Sequence, residues 1–227
     1  MKRTFSTELA YILGIPVIAL AAACMARADF GLSMVVAPAY ILHLKISQTL
    51  PWYSFGMSEY LFQGALLILL AILMRKFKKG YLFSFVTAVL YGLLLDGFIA
   101  LLSLLPLGGM AGRIIYYVVG VVVCAVGVAL VFHTYIAPEA YELFVKELSE
   151  KTGIQTGIVK TAYDCASCAI GILLSFLFFG FGRFEGVKLG TILCALVNGW
   201  LISRISQWLD RKFDFQDTLP LRKYFDQ

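Results

Sequence analysis

Charge is what this sequence has least of. Only 15% of its 227 residues are Asp, Glu, Lys or Arg, whereas 60% are apolar. A water-soluble domain of this length has too little interior to hide that much apolar surface, so a soluble globular fold is excluded. Histidine is scarce as well, with His43 and His133 far apart along the chain. Five cysteines (Cys24, Cys124, Cys165, Cys168, Cys194) all fall inside apolar runs. An odd count at membrane depth argues against a disulfide framework. Cys165 and Cys168 form a Cys-x-x-Cys, but no second pair and no nearby histidine completes a metal site. Their small side chains suit contact with a neighbouring helix. A metalloprotease helix motif, a nucleophile elbow, a P-loop and a dinucleotide fingerprint are all missing. The sequence therefore offers no motif for an enzyme, a cofactor or a metal centre. The net charge of +5 does not point to nucleic acid either, because Lys and Arg stand in short clusters at the ends of apolar runs.

Those runs are the dominant feature. Several exceed the roughly 18 residues that mark a membrane span. They are continuous rather than alternating, so helices and not barrel strands are expected to cross the bilayer. Six spans are expected, over residues 8–26, 55–75, 81–105, 113–132, 157–179 and 187–209, with a polar tail at 211–227. The first is read as a span and not as a signal peptide, because its apolar stretch is long and Arg27 and Asp29 follow it. Pro16 lies inside it and is expected to kink the helix.

Two shorter segments start with proline. Ala37-Pro38 opens the first, a stretch too short to span. Ala137-Pro138 opens the second, where Tyr141, Phe144, Val145 and Leu148 alternate at helical spacing with Glu142, Lys146, Glu147 and Glu150. Both read as short interfacial helices.

The order of elements recurs. A span, a Pro-led short helix, a Gly-started span, a turn and a further span occur twice, over residues 5–106 and 107–210. Pro38 matches Pro138, Gly56 matches Gly157, and Gly92 matches Gly199. Three spans is an odd number, so the second copy must enter the membrane from the opposite side. The fold expected is an all-α membrane protein in a single domain, a 3+3 inverted repeat, a layout that suits alternating access. The null is a duplication kept only as a scaffold. With six spans the basic clusters at Lys2/Arg3, Arg75–Lys79, Lys146/Lys151/Lys160 and Arg204 share one side. The positive-inside rule then places both ends of the chain in the cytoplasm.

An ionised group at the bilayer centre costs about 2.5–3.5 kcal/mol, so each needs a reason. Asp96, deep in the third span, is a candidate proton, cation or cationic-substrate site, or else a structural hydrogen-bond partner for another helix. Lys160 and Asp164 stand one turn apart, as do their repeat counterparts Glu59 and Gln63. Snorkelling to the headgroups is the competing account of Glu59 and Lys160. Asn198 and its counterpart Tyr91 lie near the middle of their spans and could orient a ligand or bridge helices. Gly92 and Gly199 would let backbones approach closely. Trp52, Tyr116, Tyr117 and Trp208 read as interfacial belt residues.

One further signal lies in the second half. Pro138-Glu139-Ala140, Thr152-Gly153, Val159-Lys160-Thr161-Ala162-Tyr163-Asp164, Val187-Lys188-Leu189-Gly190-Thr191 and Ala195-Leu196-Val197-Asn198-Gly199 together resemble the YczE/YyaS/YitT-type integral membrane proteins of bacteria. The sequence departs from that pattern at Ala140 and near Tyr40, where the family carries an acidic residue, and at Gly199-Trp200, where it carries Gly-Pro. The resemblance implies a multi-span protein of the bacterial plasma membrane and says little about chemistry. The leading functional expectation is a transporter or permease for a small solute or ion. Asp96, Asp164, Gln63, Asn198, Glu59 and Lys160 would lie on the pathway, and Pro38, Pro138, Gly56, Gly157, Gly92 and Gly199 would shape or gate it. The alternative is a non-transporting membrane subunit. Expected partners are the lipid bilayer, a small solute, and either a second copy or another membrane protein.

Overall fold

The computed structural model describes residues 3–136 and 139–220. Eight helices and one two-stranded parallel sheet make up the described structure. The strands are β1 (Arg3–Ser6), just before the first helix, and β2 (Phe213–Gln216), just after the last, and they lie side by side. Six helices are long and apolar enough to cross a membrane. They are α1 (Thr7–Ala28), α3 (Phe55–Met74), α4 (Lys79–Ser103), α5 (Gly109–Val131), α7 (Thr156–Phe179) and α8 (Leu189–Lys212). Two are short, α2 (Ala37–Ile46) and α6 (Ala140–Thr152). The all-α membrane architecture expected from the apolar runs is therefore what the chain adopts. The small sheet is an addition that the sequence did not announce.

Local chemistry sets several helix ends. Ser6 accepts the Leu9 N–H at the start of α1, and Ser54 accepts that of Met57 at the start of α3. Asp29 and Arg75 end α1 and α3 in the left-handed conformation. Pro38 sits in the first turn of α2, where its missing N–H would be unpaired anyway. Pro16 is accommodated inside α1.

α1 and α5 form the centre. Half of the α1 span is buried, against 17% for α7 and for α8. The two central helices meet through small residues. A Cβ on Gly127 would stand 3.1 Å from the Gly14 carbonyl oxygen, and one on Gly120 would stand 3.1 Å from that of Ala21. Side chains at these points would force the axes apart, so the close crossing depends on glycine. α1 also packs on α4, and α5 on α8. α2 packs on α3 and α7, while α6 packs on α7 and α3. α3 and α4 cross tightly, but α7 and α8 are not packed along one another.

α6 follows α3 in the same direction. Its first residue, Ala140, is level with Gln63, and Lys151 near its end reaches the Leu73 carbonyl. The buried face holds Tyr141, Phe144 and Val145, as the helical spacing suggested. Glu147 departs from that pattern. It is buried instead of facing water, and Lys78 at the start of α4 donates to both its oxygens at 2.6 and 2.8 Å.

The end segments are tied together beside α1. Glu8 accepts hydrogen bonds from Ser6, from the Tyr135 hydroxyl and from the backbone N–H groups of Thr218 and Leu219.

Candidate functional site

The site is built where the start of α6 meets the inner face of α3. Glu59 and Gln63 stand one turn apart on that face, and both are fully buried. Glu139, just ahead of α6, has an extended backbone that turns its side chain toward α3. The Gln63 amide donates to Glu59 Oε2 at 3.4 Å and to Glu139 Oε2 at 3.3 Å. Its own oxygen accepts the Ala140 N–H at 3.2 Å, one of the donors that a helix start leaves without an internal partner. The Tyr141 hydroxyl donates to Glu59 Oε2 at 2.9 Å. Two carboxyls are thus held close together beside the first half of α3.

A second tier surrounds this pair. Tyr91 on α4 lies within electrostatic range of Glu59, Glu139, Glu142 and Cys124. Asn198 on α8 donates weakly to the Cys124 sulfur of α5, 3.8 Å away. On α7, Lys160 lies 3.7 Å from Asp164, and both interact with Glu142 of α6. The Tyr163 ring packs against Tyr141 and Phe144, with centroids 6.3 and 5.6 Å away. The outer members are partly open, Lys160 with 48% and Asp164 with 28% of the side chain exposed. The inner members are sealed.

Hydrogen bonding here is incomplete. Among the described residues, Glu59 Oε1, Glu139 Oε1, Glu142 Oε2, Asn198 Oδ1 and the Tyr91 hydroxyl are buried with no hydrogen-bond partner. Native interiors seldom leave such groups unmade, and when they cluster the reason is usually functional. Burial lifts the Glu139 carboxyl well above the usual carboxylate range, and the negative charges of Glu142 and Glu59 push it further, against the Gln63 hydrogen bond. Burial also raises Glu142, while Lys160 pulls the other way. The Tyr141 hydroxyl is raised by burial and by Glu59. The arrangement favours protons, or another positive charge, at its centre.

Of the residues singled out in the sequence, Glu59 and Gln63 form the heart of the cluster, and Asp164, Lys160 and Asn198 stand at its edge. Asp96 does something else. It accepts from the Ser54 hydroxyl at 2.5 Å and from the Gly56 N–H at 2.7 Å, at the first turn of α3. That is the structural helix-to-helix bond weighed for it above. Gly56 and Gly92 meet where α3 crosses α4, for a Cβ on Gly92 would lie 2.6 Å from the Gly56 carbonyl oxygen. Gly199 has open space beside it. Gly157 lies in the first turn of α7. Pro138 falls outside the described residues.

Sequence reasoning had passed over Glu139, Glu142 and Cys124. Glu139 and Glu142 belong to a segment that reads as a surface helix with a charged face, where carboxylates need no account. Glu139 did carry a signal, since it immediately precedes the first turn of α6. Beside the cluster, an apolar groove of about 600 Å³ runs between α3, α6 and α7, bordered by Phe62, Phe144 and Tyr163.

No curated protein and no solved structure matches the chain. Residues 5–207 match the model of the Family of unknown function (DUF6198), and the chain belongs to that family.

Proposed function

We propose that the chain moves a small solute across the membrane along a path that passes Glu59, Gln63, Glu139 and the Asn198 side of α8. The observation that carries this reading is the set of buried, unpaired oxygens at the middle of the bundle, graded from sealed to half-open. Groups left unpaired at membrane depth are costly, and they mark substrate or ion pathways more often than scaffolds.

An inverted repeat belongs to the same proposal, and the packing supports it. Exchanging α1 with α5, α2 with α6, α3 with α7 and α4 with α8 turns the α1–α4 contact into α5–α8. It turns α2–α3 into α6–α7 and α2–α7 into α6–α3. The Gly14–Gly127 approach becomes the Ala21–Gly120 approach. Tyr11 bonds Thr87, which bonds the Phe83 carbonyl. The exchange carries these residues to Tyr117, Cys194 and Gly190, and the Tyr117 hydroxyl donates to the Gly190 carbonyl. The exceptions are α3–α4 and α4–α6, whose counterparts α7–α8 and α8–α2 are not packed among the described residues. Two halves of one design in different arrangements are what alternating access requires. Kinship with the YczE/YyaS/YitT-type proteins, cytoplasmic ends and a place in the bacterial plasma membrane complete the reading.

The test is reconstitution. Purified chain in liposomes is given a pooled metabolite mixture, and the lumen is assayed by mass spectrometry. Accumulation over empty liposomes, lost in Glu59→Gln, is the expected result. No accumulation by a well-folded protein in either orientation would favour the accessory-subunit reading, to which the exposed faces of α7 and α8 also lend support.

A further inference from the structure

We infer that the buried cluster binds a small organic cation rich in N–H donors, of the ammonium or guanidinium class, and that this is the solute of the transport reading on which the inference rests.

Glu59 Oε1, Glu139 Oε1, Glu142 Oε2 and Asn198 Oδ1 are acceptors, and none has a partner among the described residues. A ligand that donates would complete them. An anion or a bare carbonyl compound would add acceptors to a site already short of donors.

Tyr91 supplies an independent observation. Its hydroxyl is 1% exposed as a residue, unpartnered, and within electrostatic range of Glu59, Glu139 and Glu142. It is not a carboxyl, and nothing in the packing of α4 on α3 needs its oxygen. A buried tyrosine normally finds a partner for that group, so its position speaks for a ligand there.

Charge and shape agree. Four carboxyls, Glu59, Glu139, Glu142 and Asp164, share the cluster with one ammonium, that of Lys160, which interacts with Glu142 and Asp164. Tyr91, Tyr141 and Tyr163 put aromatic rings beside the carboxyls, and ring faces attract organic cations. The chain itself places an ammonium at the rim, Lys160 beside Asp164. A metal ion fits less well, because no group of three or more His, Cys, Asp and Glu among the described residues is arranged to hold one. The inner oxygens are sealed, whereas the Asp164 side chain is 28% exposed and so stands at the rim.

The experiment is thermal unfolding of the full chain in detergent at neutral pH, with n-butylammonium chloride or agmatine as probe. Sodium chloride at equal ionic strength and n-butanol serve as controls. The expected result is a concentration-dependent rise in Tm with either amine and none with the controls. Tyr91→Phe and Asn198→Ala keep the unliganded Tm but weaken the amine effect by roughly tenfold, the size of one charge-assisted hydrogen bond. Glu139→Gln removes it. An equal rise with butanol, no rise with either amine, or an undiminished rise in all three variants overturns the inference. Liposome uptake separates the two proposals. Amine binding without amine flux leaves the site standing and ends the transport reading. Flux of a neutral or anionic solute with no amine binding does the reverse.

Discussion

The Gln63 side chain bridges α3 to the start of α6, giving its N–H groups to Glu59 and Glu139 while its oxygen takes the N–H of Ala140. One amide therefore serves three buried partners. Gln63→Leu keeps the volume and leaves all three unserved. The expected cost is about 2–3 kcal/mol, since a stranded buried group loses its full desolvation penalty. Chemical unfolding in detergent would read it. A loss below about 0.5 kcal/mol would mean that α6 is held by its apolar face alone.

Gly92 and its repeat counterpart Gly199 should respond in opposite ways. Gly92→Leu drives a side chain into the Gly56 carbonyl and the Tyr60 ring, and is expected to destabilise by about 2 kcal/mol or more. Gly199→Leu meets open space. It should leave Tm nearly unchanged or slightly raised, given the better helix propensity of leucine. If α7 must close on α8 during transport, Gly199→Leu will still block flux. Normal flux in that variant would show that the α7–α8 separation is permanent.

Acidity should matter in a definite direction. Glu139 and Glu142 have raised values in the fold, so the stability they contribute is full below the ordinary carboxylate range and lost as pH rises through the raised values. The groups facing them are Glu59 and Gln63 of α3, Tyr91 of α4, Cys124 of α5, Tyr141 of α6, Lys160, Tyr163 and Asp164 of α7 and Asn198 of α8. Only Lys160 among them carries positive charge. Tm of the unliganded protein is expected to fall as pH is raised from the ordinary carboxylate range upward. Glu139→Gln should flatten that slope. A Tm that climbs over the same interval would contradict the burial of these carboxyls.

Asp96→Ala should damage the fold and spare the chemistry. It strips the Ser54 hydroxyl and the Gly56 N–H of their acceptor, at a cost of about 1–3 kcal/mol. Any flux that survives, per folded molecule, should match the parent chain. A selective loss of flux with intact Tm would return Asp96 to the pathway.

The spans were legible because apolar length is a direct physical requirement of crossing a bilayer. The expected stretches at 55–75 and 157–179 meet α3 and α7 to within a residue or so. The Glu59–Gln63 and Lys160–Asp164 pairs were also readable, because one-turn spacing on a helix fixes adjacency. Depth was harder to see. Amphipathic spacing in α6 reports which face is apolar, but not whether that face meets lipid or other helices. Glu139 and Glu142 therefore passed as surface charges. Asp96 was conspicuous by position along its span, yet its role rests on Ser54 and Gly56, which are remote in sequence and brought near only by the α3–α4 crossing.

Residues 3–6 and 213–216 pair as adjacent strands, and Glu8 holds the segment that follows them. The folded path is thereby nearly a ring. On a ring neither the α1–α4 segment nor the α5–α8 segment comes first, and their order is a matter of synthesis and not of packing. Joining Gln216 to Arg3 through a linker long enough to run back along the parallel strands, and opening the chain between α4 and α5, would leave the helix contacts as they are. It would also move the new ends to the opposite face of the membrane. If the opened chain still folds, the direction in which it is threaded would be set by its basic residues during insertion and not by its native contacts.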